Sequence, residues 1–106
     1  MGTSTSLALR ESRVLFSAFY AGACADDAAA MDVLVKAYIS VMLGILLPRN
    51  NVSDSTRMRI ERDCDQAERE FLQARDQVRS CVTYRNLSSE DRRRVASLFE
   101  LHMPTE

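Results

Sequence analysis

Residues able to do chemistry are sparse in this chain of 106 residues, and their spacing argues against a reaction centre. A single histidine, His102, could exchange protons near neutral pH, but its place late in the sequence suits a surface group or a partner for a helix C-terminus. Asp63 and Asp65 are two residues apart, so on a helix they point to different faces and cannot share a proton as a catalytic dyad does. There is no glycine-rich phosphate loop, no H-E-x-x-H and no nucleophile elbow. The expectation is a protein that is not an enzyme and takes no cofactor or small-molecule substrate.

Cys24, Cys64 and Cys81 form no C-x-x-C pair, and too few thiols are present for a four-cysteine zinc site. Cys64 and Cys81 would lie about 25 Å apart along one continuous helix, beyond disulfide reach. Reduced, buried thiols are the simplest expectation. In an oxidising compartment Cys24 could instead pair with Cys81 across a helical hairpin.

The run Arg92, Arg93, Arg94 is preceded by Glu90 and Asp91 and has no aromatic platform, so no nucleic-acid partner is expected. Fourteen basic residues, all Arg except Lys36, stand against fifteen acids, leaving a net charge of -1 and no global field for polyanions.

Three segments could address a membrane or an export route. Met1-Gly2 with Ser6 matches the pattern for acylation of Gly2, although one acyl chain alone gives only weak, reversible anchoring. Arg10 and Arg13 before the apolar stretch Val14 to Ala23, with Ala23-Cys24-Ala25 as a small-x-small site, resemble an export signal, against which Glu11, Ser17 and Tyr20 count. The sequons Asn51-Val52-Ser53 and Asn86-Leu87-Ser88 then read as turns, because an intracellular protein meets no glycosylating enzyme. Residues 28–47 are about as long as a bilayer is thick. Asp32 and Lys36 oppose a span, each costing roughly 2.5 to 3.5 kcal/mol near mid-membrane.

The elements that must position these residues are helices, since three Gly and two Pro are few for a fold built on tight turns. The strongest pattern is the stripe Ile60, Cys64, Ala67, Phe71, Ala74, Val78 and Cys81, which steps by four and three with charge between its members. It marks a long helix over about 54–82, capped from Ser53, Asp54 or Ser55, with Asp65 and Arg69 paired four apart on its wet side.

Before it, a helix over about 27–47 starts at Asp26 or Asp27 and stops at Pro48. Asp32 and Lys36 are spaced to pair on this helix, which carries no charge from Ala37 to Leu47. A first helix over about 7–24, capped by Thr5 or Ser6, would present Leu7, Val14, Leu15, Phe16, Ala18 and Phe19. A short helix over about 89–101 opens with a capping box of Ser88 and Asp91 and presents Val95, Leu98 and Phe99.

These elements predict one all-α domain over 1–106, an antiparallel helical bundle built on the hairpin of the second and third helices, with 1–6 and 103–106 as flexible ends. Its expected role is that of a non-enzymatic interaction, adaptor or structural subunit, completed by copies of itself or by a larger complex. The residues expected to carry association are Ile60, Phe71 and Val78 on the stripe and Tyr38, Val41, Met42 and Ile45 opposite. A charge at Phe71 is expected to break assembly. The competing expectation is a membrane-associated subunit, with helix 28–47 inserted or Gly2 acylated.

Overall fold

Two long helices form the frame, and four shorter ones gather around one end of it. The structure, a computed structural model, describes residues 3–100, with side chains from Leu7 on apart from Ala8. In chain order the helices are α1 (Thr3–Leu15), α2 (Ser17–Gly22), α3 (Ala25–Leu46), α4 (Asp54–Ser80), α5 (Val82–Arg85) and α6 (Ser89–Ala96). The result is a packed, all-helical arrangement among the described residues.

α3 and α4 run antiparallel. Asp27 meets Thr83 just beyond α4, Tyr38 meets Phe71 midway, and Gly44 meets Cys64 at the far end. The stripe on α4 is the contact face, with Ala67, Phe71, Ala74 and Val78 buried against the interior. α3 contributes Met31, Leu34, Val35, Ala37 and Val41. Each large side chain sealed in this way stabilises the fold by about 1.5–3 kcal/mol, before conformational entropy is counted.

The joint between the long helices follows local chemistry. Leu47 adopts an extended conformation ahead of Pro48, and Asn51 takes a positive φ of 65°, a left-handed geometry that Asn tolerates better than most residues. Ser53 then accepts a hydrogen bond from the Thr56 N–H and opens α4. Ser88 opens α6 in the same way, accepting from the Asp91 N–H while its hydroxyl donates to the Asp91 carboxylate.

Several boundaries differ from expectation. The first helix is two helices, bent at Phe16, which leaves helical geometry at φ -104° and ψ 32°. Phe16 and Phe19 enter the core while Leu7, Val14, Leu15 and Ala18 stay exposed, so the apolar face is narrower than the spacing suggests. α1 already includes Thr3–Ser6, part of the segment expected to be loose; residues 1–2 and 101–106 lie outside the described residues. α3 begins after an extended Cys24 that makes no side-chain cap, and Asp26 and Asp27 occupy its first turn instead of capping it.

α4 ends at Ser80 because Cys81 is extended, and a one-turn α5 follows. α6 ends at Ala96. There Ser97 donates to the Arg94 carbonyl at 2.6 Å, and tight turn bonds from Leu98 to Val95 and from Phe99 to Ala96 roll both apolar side chains inward. Phe99 rests between the Tyr84 ring, 5.4 Å away, and the Arg79 guanidinium, 5.1 Å away.

Candidate interaction groove

Two rows of residues on α3 have opposite fates. Met31, Leu34, Tyr38, Val41 and Ile45 step by three and four and are buried or half-buried. Val33, Lys36, Ser40 and Leu43 step by three and four on a neighbouring side and remain exposed, and the extended Leu47 just past the helix prolongs the row. The second row forms one bank of a groove whose other bank is α4.

The groove has two adjoining hollows that share Ser40 and Glu70. One is about 730 Å³ and runs past Val33, Lys36, Gln73 and Gln77; the other is about 410 Å³ and runs past Leu43, Leu47, Ile60 and Asp63. Small residues line both, Ala37 and Ala74 in the first, Gly44 and Ala67 in the second. At Gly44 the helices are so close that an added Cβ would collide with Cys64 Sγ.

Charge on the groove is lopsided. Its lining holds the carboxylates of Asp63, Glu70 and Asp76 and one ammonium, that of Lys36. Asp76 is 3.5 Å from Arg75. Among the described residues Asp63, Glu70 and Lys36 have no ion-pair partner, while Glu70 accepts a hydrogen bond from Gln66 at 3.3 Å.

A polar cluster lies at the other end of α3. Arg13 reaches Asp32 with both Nε and Nη2, the latter a very short contact, and the Tyr20 hydroxyl donates to the same carboxylate at 2.7 Å. Burial first, then the hydrogen bond and charge of Asp32, push the Tyr20 phenol far above its ordinary range. Held protonated, the phenol clamps the Asp32 carboxylate. Asp32 therefore pairs with Arg13, not with Lys36 as the spacing suggests. Arg69 donates to Gln66 in place of pairing with Asp65.

The three cysteines are free thiols. Cys24 is exposed where a buried thiol is expected, and it is not bonded to Cys81. Cys81 donates to the Val78 carbonyl at 3.0 Å and accepts from the Tyr84 N–H, and burial pushes its thiol pKa up. Cys64 Sγ lies 3.6 Å from Arg49 Nη2. Among the described residues no three His, Cys, Asp or Glu side chains gather to hold a metal ion.

Of the residues expected to carry association, Phe71 is 1% exposed, Val78 0% and Val41 2%, all sealed by the chain itself. A charge at Phe71 therefore attacks folding before it can report on a partner. Tyr38 is half-buried with its ring 6.2 Å from Phe71, and Met42 and Ile45 are half-buried. Ile60 lines the groove. Gly2 and His102 lie outside the described residues.

The exposed row Val33, Lys36, Ser40, Leu43 and Leu47 escaped the sequence reading, as did the acids facing it. Its signal was available as helical spacing on α3 opposite small residues on α4. No protein-family model, curated protein or solved structure compared with the chain matches it.

Proposed function

We propose that this protein is a small non-enzymatic interaction or adaptor subunit, working inside the cell, whose α3–α4 face is completed by another polypeptide in an oligomer or larger complex. In this reading the hairpin is an antiparallel bundle lacking one helix. The observation that carries it is the exposed row on α3, where Val33, Leu43 and Leu47 flank a groove floored by small residues. No nucleic acid, cofactor or small substrate is required.

Sedimentation equilibrium on the purified chain and on the native-level extract tests this. The expected result is a species heavier than the 12.0 kDa monomer in at least one of them, returning to monomer when Val33 and Leu43 are both changed to Glu. A wild-type chain that sediments as a monomer in both overturns the reading.

A membrane-associated subunit is the second reading, because Ala25–Leu46 is long and apolar enough to cross a membrane. Insertion would strip α3 from α4, exposing Phe71 and Val78 and breaking the Arg13–Asp32 pair. The packed helix is favoured for that reason. Extraction with alkaline carbonate separates the two, since a spanning helix stays with the bilayer.

A further inference from the structure

We propose that the occupant of the α3–α4 groove is a basic amphipathic α-helix, seated along Val33 to Leu47 with its cationic side chains against Asp63 and Glu70. This rests on the interaction reading above and adds the chemistry of the partner.

Length is the first argument. From Val33 to Leu46 the row runs about 20 Å along α3, between three and four helical turns, and Leu47 extends it, which suits a helix laid lengthwise. Shape is the second. A third helix packs on two others at about 8–10 Å between axes when small residues open holes for its larger side chains. Ala37 with Ala74 provides such a hole in the first hollow and Ala67 in the second.

Backbone chemistry excludes an added strand. Both banks are helices whose interior amides bond within themselves, so recognition here must run through side chains, as in helix-in-groove binding.

Charge decides the sign of the partner. Three carboxylates line the groove against one ammonium, and Asp63 and Glu70 have no ion-pair partner among the described residues. An isologous second copy would bring the same carboxylates to the same patch, setting acid against acid. Anionic lipid headgroups meet the same repulsion. A helix with Lys or Arg beside its apolar stripe satisfies both the floor and the rim.

The test uses two stapled helical peptides of about four turns, alike in their Leu and Ile stripe, one flanked by Lys and its twin by Glu. Fluorescence anisotropy against the intact chain is expected to show the Lys peptide binding at least about tenfold tighter, with the gap shrinking at high salt. Changing Asp63 and Glu70 together to Lys is expected to reverse the preference without altering the thermal melt, since both side chains are exposed. The bound Lys peptide is also expected to slow maleimide labelling of Cys64, which lines the groove, and not of Cys24.

Equal binding of the twins, binding by neither, or indifference to the charge reversal overturns the proposal. So does a wild-type dimer lost on Leu43→Glu, which gives the groove to a second copy, or flotation with phosphatidylserine vesicles lost on Leu43→Glu, which gives it to a membrane. If sedimentation still shows a Val33- and Leu43-dependent assembly while the twins bind equally, only the charge assignment fails. If no assembly exists, the interaction reading fails with it.

Discussion

Thr83 donates its hydroxyl to the Asp27 carboxylate at 2.6 Å, joining residues 56 positions apart in sequence. The bond brings the chain after α4 back to the first turn of α3 and closes the hairpin at its base. Thr83 is the one polar residue buried among the described residues, so water has little access to its hydroxyl. Replacing Thr83 by Val keeps the shape and removes the donor. Stability should fall by about 1.5–3 kcal/mol, the range for hydrogen bonds to charged groups, as read from urea unfolding. A loss below experimental error would show that water substitutes at this site.

The close approach of Gly44 to Cys64 predicts a coupled pair. Inside a helix, Gly to Ala ordinarily gains about 1 kcal/mol. Here the new methyl collides with Cys64 Sγ, so Gly44→Ala alone should destabilise by about 1–2 kcal/mol. With Cys64→Ala already in place the same change should turn neutral or stabilising. A double-mutant cycle with no coupling energy would mean that the thiol simply rotates away.

Tyr20 predicts a stability that declines in alkali. Its phenol is raised above the ordinary value of 10.0 by burial and by Asp32. Below that value both folded and unfolded chains hold the proton and the contribution is fully present. As pH rises past 10.0 the unfolded chain releases its proton while the folded chain keeps it, so stability falls with pH. Tyr20→Phe should flatten this part of the pH–stability curve and cost about 1 kcal/mol at neutral pH by removing the bond to Asp32. An unchanged alkaline slope would count against the clamp.

Thiol reactivity should be graded. Cys24 is exposed, whereas Cys81 is half-buried, hydrogen-bonded to the Val78 carbonyl and raised in pKa by burial. Maleimide labelling followed by mass spectrometry should modify Cys24 first and Cys81 last, with Cys81 catching up in urea. Labelling of Cys81 at the speed of Cys24 in buffer would contradict its packing.

Features governed by neighbours in sequence were the legible ones. Ser53 and Ser88 cap because a hydroxyl three residues before an N–H is a local arrangement. The α4 stripe stands out because charged and polar residues fill most of the helix outside the face that buries Phe71 and Val78. Asp32 illustrates the opposite case. Its spacing to Lys36 suggested a pair worth a few tenths of a kcal/mol, but Arg13 and Tyr20 arrive from 19 and 12 residues away with three hydrogen bonds. No local pattern announces such a meeting. The bend at Phe16 was hidden likewise, since neither Gly nor Pro marks it.

The groove was half-legible. The apolar excess of α3 pointed to something uncovered, but which of its sides faces out depends on where α1, α2, α5 and α6 settle. They settle at the end near Asp27 and Asp32, and the middle and far end of the exposed row stay open.

That one-sided arrangement leaves the two ends of the hairpin unequally held. At the base, Thr83–Asp27, Arg13–Asp32 and the Phe99 cluster tie several segments together, whereas the end near Gly44 is held by α3, α4 and the turn 47–53 that joins them. Amides around Leu43 to Leu47 and Arg57 to Cys64 should therefore exchange with deuterium sooner than those around Leu34 and Val78. Because the turn 47–53 joins the two helices at that end, loosening there frays their adjoining turns without separating them, and the base sets how far the fraying runs.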